Sequence, residues 1–264
     1  MDDPVRVERR EGWHKIILNR PDKLNALNPS VLAGLTEAFD AAEADRSCRA
    51  LLLTGAGRGF CAGQELSDAI IPGSDNPSPD LGGIARSYHQ GVIARLRALP
   101  LPVVCAVNGV AAGAGANVAL ACDIVLAGRG ASFVQAFVRI GLVPDCGGTF
   151  FLPRLIGDAR ARALVMLGEP VTAAQAEAWG LIWQAVDDDA LAFEAEALTA
   201  RLAALPTAAL AMMKRLFDAS ATNVLDAQLD LEASTQAAAG RTADYAEGVR
   251  AFLAKRRPVF KGGR

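Results

Sequence analysis

The stretch VVCAVNGVAAGAGANVALAC, residues 103–122, contains the pattern that decides the fold. The five apolar residues from Val103 to Val107 predict a buried strand, and the glycine-rich segment 108–117 predicts a turn after it. The apolar residues from Val118 to Cys122 then predict a helix. A strand, a glycine-rich turn and a helix N-terminus in this order place several unpaired backbone N–H groups around one point.

Strand and helix patterns alternate along the rest of the chain as well. Val5–Glu8 and Trp13–Leu18 predict a hairpin, and Asn28 before Pro29 predicts a capped helix start. This alternation predicts an α/β fold with parallel strand pairing. Further strands are predicted at 50–54, 124–126, 131–133 and 181–186, helices at 88–98, 159–167 and 172–179, and a helical region from 191 onward with breaks near Pro206 and Asn223.

The overall composition is that of a globular enzyme. Apolar residues make up 52% of the 264, and the formal net charge is −2, which gives no basic surface for nucleic acid or for a membrane. The first residues, Met1 to Pro4, lack the basic and apolar regions of an export signal, so we expect a cytoplasmic protein. The apolar run from Leu101 to Gly128 is interrupted by polar residues, glycine and proline, which favours buried elements over a membrane span.

Cysteine and histidine give no sign of a metal site. The five cysteines are scattered without a Cys-x-x-Cys pair, and the chain has only two histidines. Small buried thiols in a reducing compartment are the interpretation that this pattern favours.

A lone carboxylate lies in the stretch IGLVPDCGGT, residues 140–149. Pro144 fixes its own φ, and Gly147-Gly148 permits a tight turn, so the backbone aims the side chain of Asp145. Apolar surroundings raise the pKa of an aspartate, which makes Asp145 a candidate general base. From this stretch alone, a second interpretation stays open, in which Asp145 caps the next helix or forms an Asx-turn.

Two glycine-containing turns, at Gly63-Gln64 and at Gly113-Ala114, can each present a backbone N–H to one oxygen atom. Two such donors form an oxyanion hole. The second turn lacks the Gly-Lys-Ser/Thr ending of a phosphate loop and the pattern of a dinucleotide site. A purely structural role stays open for either turn taken alone, but with Asp145 the two turns predict a site that activates an acyl group.

Collinear motifs over almost the whole chain resemble the crotonase, or enoyl-CoA hydratase/isomerase, superfamily. The resemblance implies a crotonase-like (ClpP/crotonase) α/β spiral of β-β-α units in residues 1–200 and a C-terminal helical subdomain in 201–264 that assembles a homotrimer or a dimer of trimers. It implies an acyl-CoA thioester as substrate, so that coenzyme A is part of the substrate and neither a separate cofactor nor a metal is needed. The motifs are residues 19–21, 25–27, 60–63, 106–109, 121–123, 144–149, 250–253 and 255–256.

The resemblance also implies roles for individual residues. The oxyanion donors would be the N–H groups of Gln64 and Ala114, where Ala114 replaces a usual glycine but retains the N–H. The catalytic carboxylate would be Asp145. Substrate and CoA contacts are implied for Lys23, Ala62, Gly63, Gln64, Leu66, Gly113, Ala114, Asn117, Phe137, Phe260 and Lys261.

Two positions distinguish this chain from the hydratases of the superfamily. Hydratases carry two glutamates where Asn117 and Phe137 stand here, so the resemblance predicts a poor hydratase and an isomerase that uses Asp145. The stretches 141–149, 177–184, 229–232 and 240–245 resemble the isomerases that act on a ring-epoxide CoA thioester, and we expect residues 71–83 to shape the acyl pocket. The alternatives are a hydratase, a dehalogenase in which Asp145 attacks an aryl ring, and an acyl-CoA-binding protein without catalysis.

Overall fold

The structure is a computed structural model that describes residues 3–66 and 79–263, without the side chains of residues 89 and 90. Most of the predicted pocket loop at 71–83 lies outside the described residues. Within its described part, residues 81–83 form the start of a helix rather than a loop.

The strands of the described residues form two sheets. The large sheet has the order β1-β2-β3-β5-β7-β10 and is parallel except for the β1–β2 hairpin. The small sheet has the order β4-β6-β8-β9, with β9 antiparallel. The bounds are β1 Val5–Arg10, β2 Trp13–Leu18, β3 Ala50–Gly55, β4 Gly59–Cys61, β5 Val103–Val107, β6 Val110–Ala112, β7 Ile124–Gly128, β8 Ser132–Val134, β9 Pro170–Thr172 and β10 Gln184–Val186.

Helices fill the connections and the C-terminal part of the chain. A π-helical turn, His89–Ile93, joins α2 to α3, and 3₁₀ turns lie at Pro21–Lys23 and Ala136–Ile140. The helices are α1 Pro29–Ala44, α2 Leu81–Tyr88, α3 Ala94–Ala98, α4 Ala114–Leu120, α5 Gly148–Leu167, α6 Ala173–Trp179, α7 Leu191–Ala203, α8 Thr207–Ser220, α9 Leu225–Ala239 and α10 Ala243–Leu253.

The two sheets are built by a repeated step. In each of the pairs β3–β4, β5–β6 and β7–β8, the first strand joins the large sheet and the second joins the small one. Because β3, β5 and β7 are neighbours in one sheet and β4, β6 and β8 are neighbours in the other, each pair stacks on the pair before it. Helices follow these pairs, as α4 follows β6, and the predicted spiral of β-β-α units is confirmed.

Both faces of the large sheet are buried, which explains the uninterrupted apolar runs of its strands. In β3, Leu51 and Leu53 pack into the main core between the sheets and helices. Leu52, between them, packs on the other face against the apolar side of α7. The predicted domain boundary at residue 200 therefore falls inside a helix that covers the sheet, and the division into two domains stays a prediction.

Three further local predictions were wrong. Segment 108–117 contains β6, which sequence patterns missed because three small residues form a strand only through pairing with β4 and β8. Helix α4 begins at Ala114 instead of Val118, directly after the turn at Gly113. Helix α5 begins at Gly148 instead of Ala159; Pro153 and a non-helical Gly157 (φ 75°, ψ 161°) interrupt its first half and conceal the helical pattern.

Candidate active site

The turn after β4 leaves the Gln64 N–H pointing away from its neighbouring strand. Leu27 donates to the Gly63 carbonyl over 2.7 Å and accepts from Glu65 N–H over 2.8 Å. In this parallel bridge the backbone groups of the intervening residue, Gln64, face the opposite side. The Gln64 N–H has no acceptor within the part of the chain that the structure describes, so it is available to a ligand oxygen.

The turn before α4 exposes a second donor. Gly113 adopts φ 52° and ψ −125°, a conformation open to glycine alone, and its N–H donates to the Val134 carbonyl over 2.8 Å. Ala114 is the first residue of α4, so its N–H has no acceptor within the helix. A Cβ on Gly63 would lie 2.8 Å from the Ala112 oxygen and 3.6 Å from the Ala114 nitrogen. The two predicted donor turns therefore touch, and glycine at position 63 permits the contact.

Asp145 lies in a loop that reverses direction before α5. Cys146 (φ 48°) and Gly147 (φ 78°) are both left-handed, and α5 starts at Gly148 with Gly147 as its N-cap. The helix start has no side-chain cap, so the interpretation of Asp145 as a capping residue was wrong. The carboxylate oxygen Oδ1 is buried and has no hydrogen-bond partner among the described residues.

The surroundings of the Asp145 carboxyl are neutral. Burial raises its pKa above the ordinary value, and the Cys146 thiol offsets only part of that rise. Burial also raises the pKa of the facing Cys146 thiol and Tyr88 phenol, and it raises the pKa of Cys61 to about 12. These three groups carry no charge at neutral pH, and no cation among the described residues pairs with Asp145. A carboxylate in this position is suited to accept a proton near neutral pH.

Tyr88 is a site residue that sequence patterns did not indicate. It ends α2, directly before the π-helical turn, and is buried in the core. Its phenol interacts with the Gln64 side chain and lies near Asp145 and Cys146, so it links the first donor turn to the carboxylate. The sequence offered one signal, a tyrosine with its polar tip at the first residue of the predicted helix 88–98. A π-helical turn often marks a functional site but is not visible in sequence.

Neutral residues in contact with the site occupy the two positions for which the resemblance implies glutamate in hydratases. Asn117, fully buried in α4, donates from Nδ2 to the Asp145 backbone oxygen over 2.8 Å and accepts at Oδ1 from Gln135 Nε2 over 2.9 Å. The Phe137 ring lies over Gly113, 3.6 Å from where a Cβ would stand. Asn117 therefore connects the second donor turn to the Asp145 loop, and Phe137 supplies an apolar wall.

The remaining predicted contacts divide into two groups. Ala62, Gly63 and Leu66 lie in or beside the first donor turn, and Lys23 is close enough to act on the pKa of Glu65 in that turn.

Phe260 and Lys261 lie elsewhere. The Phe260 carbonyl accepts from Arg49 Nη1 over 2.9 Å, and Lys261 N–H donates to Asp244 Oδ1 over 2.8 Å. Arg49 lies just before the first residue of β3, whereas the two donor turns lie beyond the carboxyl end of that strand. The structure therefore does not bring Phe260 and Lys261 to the site of their own chain.

Among the described residues no helix is long and apolar enough to cross a membrane.

Comparisons with known proteins identify the family of the chain. The family model for enoyl-CoA hydratase/isomerase matches residues 8–263. The 1,2-epoxyphenylacetyl-CoA isomerase of Escherichia coli (strain K12) is 52% identical over 252 residues, which cover 96% of each chain. A protein of Rhodobacter capsulatus named "Probable enoyl-CoA hydratase" is 46% identical over 98% of each chain.

Solved structures give the same result for the fold. The crystal structure of an enoyl-CoA hydratase from Polaromonas sp. JS666 matches with a TM-score of 0.91 and 33% identity, over 97% of this chain and 99% of the other. The fold and the family that the sequence motifs predicted are both confirmed. The chain belongs to the enoyl-CoA hydratase/isomerase family, the crotonase superfamily.

Proposed function

We propose that this chain is an acyl-CoA isomerase in which Asp145 is the base and the N–H groups of Gln64 and Ala114 form the oxyanion hole. The substrate proposed is ring 1,2-epoxyphenylacetyl-CoA, which rearranges to oxepin-CoA; a shift of 3-enoyl-CoA to 2-enoyl-CoA is proposed as a second reaction of the same site. The observation that carries the proposal is the buried Oδ1 of Asp145, which has no hydrogen-bond partner in the described part of a chain 52% identical to an isomerase of that epoxide.

In the proposed mechanism the two backbone N–H donors act first and the Asp145 carboxylate acts next. Hydrogen bonds from Gln64 and Ala114 polarise the thioester carbonyl and acidify its α-carbon. Asp145 takes a proton from that carbon, and the resulting enolate oxygen is stabilised by the same two donors, which bind it more strongly than the neutral carbonyl. In a 3-enoyl-CoA, return of the proton to the γ-carbon places the double bond in conjugation. Both reactions rearrange atoms within the substrate, so no oxidant, reductant or water is consumed.

Residues around the carboxylate support isomerisation over hydration. Adding water across a double bond needs a water molecule held by acidic and basic groups. Asn117 is a neutral amide that is already bonded on both sides, and Phe137 is apolar. The hydratase alternative is tested by following loss of the enoyl absorbance, the dehalogenase alternative by halide release from an aryl-CoA halide, and simple binding by CoA-ester affinity without turnover.

The C-terminal helices support the proposed trimer or dimer of trimers. Helix α9 buries none of its residues in the single chain, and several large apolar side chains around it are exposed. In such an assembly, Phe260 and Lys261 would contact the CoA bound by a neighbouring subunit. Light scattering would then give three or six times the chain mass of 27.6 kDa. The exposed apolar side chains are Phe217, Leu225, Leu229, Phe252 and Leu253.

Conversion of a 3-enoyl-CoA to its conjugated isomer by the native chain and by Asp145→Asn tests the proposal. The substitution keeps the size of the side chain and removes the base, so we expect a loss of at least about 10² in kcat, the range of general-base catalysis. The ring epoxide is then assayed with both proteins. Equal activity of the two proteins, or turnover of neither substrate by the native chain, would rule out this function.

A further inference from the structure

Asn117 and Gln135 form a chain of two amides that ends on the Asp145 loop. Asn117 lies one helical turn after Ala114, and Gln135 follows β8 and precedes the 3₁₀ turn that carries Phe137. Both side chains are at least 99% buried. We propose that Asn117 is a positioning residue that holds the Asp145 loop in register with the oxyanion donors, and that Gln135 fixes the orientation in which the Asn117 amide donates.

The polarity of this chain follows from its last acceptor. The backbone oxygen of Asp145 can only accept, so Asn117 must turn its NH₂ group toward it. The Asn117 oxygen then faces Gln135, which must present its own NH₂ group. As a result, the oxygen that remains without a partner in the described structure is Gln135 Oε1. Because every other orientation places two oxygens or two NH₂ groups in contact, the chain has a single satisfactory arrangement.

The loop depends on this contact because its other side is exposed. Val143 is 79% exposed and Ile140 57%, so apolar packing holds the approach to Asp145 only weakly. The Asp145 carbonyl accepts from Gly148 N–H over 2.9 Å inside the loop, whereas Asn117 is the side chain that donates to it from the core. A fixed carbonyl also fixes the Cα of Asp145, and with it the direction of the carboxyl group. Among the residues that the structure describes, none restrains Oδ1 of that group by a hydrogen bond.

The glycine at position 148 supports this arrangement. A Cβ at this position would overlap the amide nitrogen of Asn117. The first residue of α5 therefore lacks a side chain at the point where the Asn117 amide reaches the loop, which lets donor and acceptor meet at 2.8 Å.

This inference rests on the proposed function, and its test separates the two. The variants are Asn117→Leu, which keeps the number and branching of the side-chain heavy atoms and removes the donor, Gln135→Leu, and the double variant. Val118→Ala, a core truncation in the same helix, is the matched control for a loss of stability alone. Asn117→Leu is expected to lower kcat by about 10- to 100-fold, the cost of displacing a catalytic group by about 1 Å. KM should change by less than about threefold.

The double variant and the titration of Asp145 distinguish positioning from general destabilisation. If Gln135 acts through Asn117, Gln135→Leu lowers kcat by roughly 3- to 10-fold alone and adds nothing to Asn117→Leu, a non-additivity that contact residues show. Carboxyl ¹³C NMR of aspartate-labelled protein, with the Asp145 signal assigned by its absence in Asp145→Asn, gives a readout independent of turnover. Release of the loop into solvent should lower the pKa of Asp145 in Asn117→Leu and leave it unchanged in Val118→Ala.

Two results would overturn the inference. One is an Asn117→Leu protein whose kcat and Asp145 titration match those of Val118→Ala; the other is a double variant whose losses multiply. If Asn117→Leu does not fold, Gln135→Leu decides by the same comparison, and equality with Val118→Ala overturns the inference. Failure of the proposed function appears elsewhere, as an inactive native chain or an active Asp145→Asn, and the NMR titration still tests the positioning in that case.

Discussion

The turn at Gly113 and the loop at Asp145 present their functional atoms in opposite ways. The turn offers a backbone N–H at a helix start, with Gly113 and Ala114 both buried and tied to β8 through the main chain. The loop offers a side-chain carboxyl after the exposed apolar residues Ile140 and Val143, and one amide from the core holds the backbone carbonyl of Asp145. The donors should therefore depend on backbone conformation and tolerate a change of side chain, whereas the base should depend on the contacts that aim it.

Removing a donor without removing a side chain tests the first half of this comparison. Proline is well suited to the first position of a helix, so Ala114→Pro deletes the N–H while the fold is retained. We expect kcat to fall by about 10² to 10³, the cost of one oxyanion donor. The measurement is isomerase kinetics with a melting curve.

Ala243→Pro, the same substitution at the first residue of α10, is the control and should leave kcat unchanged. Full activity in Ala114→Pro would show that this N–H does not bind the substrate oxygen.

Steric displacement of the Asp145 loop tests whether the proposed base depends on the contacts that aim it. Gly148→Ala introduces a methyl group where the Asn117 amide lies, so either the amide or the loop must move. We expect kcat to fall by about 10- to 100-fold through misplacement of the base, with a smaller change in KM. Gly248→Ala, which adds a methyl at ordinary contact distance from Phe260, serves as the control in steady-state kinetics. A Gly148→Ala protein as active as this control would contradict the dependence of Asp145 on its contacts.

Burial of the Asp145 carboxylate, which pairs with no cation in the described part of the chain, should lower stability at neutral pH. Because burial raises the pKa of Asp145 above 3.8 in the folded chain, the folded state holds this proton more tightly than the unfolded state. Ionisation therefore destabilises the fold as the pH rises through the folded pKa, and the effect is absent below the unfolded pKa. Asp145→Asn cannot ionise, so its Tm should exceed that of the native chain at pH 7 to 8 by roughly a few °C, on a scale of about 2–4 °C per kcal/mol.

Melting curves of both proteins between pH 4 and pH 8 measure this difference. The gain should shrink as the pH is lowered toward 4. A gain that is the same at every pH, or a variant less stable at neutral pH, would mean that the Asp145 carboxylate is not destabilising.

The smallest effect on kcat is expected when only the side chain of Ala114, in the turn at Gly113, is changed. Ala114→Gly keeps the N–H, so kcat should stay within about twofold, with a loss of at most about 1 kcal/mol in stability from the extra backbone freedom. The comparison with Ala114→Pro in one assay isolates the hydrogen bond from the side chain. A large loss of kcat in Ala114→Gly would mean that the methyl group, rather than the N–H, matters at this position.

The sequence marked the proposed groups of the site, whereas the contacts that arrange them became visible only in the structure. Gln64, Ala114 and Asp145 belong to short local motifs, and local backbone chemistry is enough to mark them as the proposed donors and the proposed base. The bond from Asn117 to the Asp145 carbonyl spans 28 residues and exists only once α4 packs against the loop. Tyr88 likewise reaches the site only through the packing of α2, so no local pattern predicted the contacts of either residue.

The fold shows the same limit. The long buried strands, such as Val103–Val107, are evident from continuous apolar runs. The three residues of β6 have no such run and become a strand because β4 and β8 lie on either side of them. The first half of α5 contains Pro153 and Gly157, which suppress the helical pattern although tertiary packing buries Leu152 and Ile156. Where packing decides the structure, local propensity fails.

Transfer of an isotope by Asp145 would test its role as the proton carrier most directly. A 3-enoyl-CoA carrying deuterium at the α-carbon is converted in ordinary water, and the product is analysed by NMR for deuterium at the γ-carbon. A single carboxylate in a water-poor site should carry part of the label from one carbon to the other in the native chain, while Asp145→Asn should form neither the labelled product nor the conjugated isomer at a comparable rate. Conversion by the native chain with no deuterium at the γ-carbon, or labelled product formed equally well by Asp145→Asn, would contradict Asp145 as the carrier of the proton.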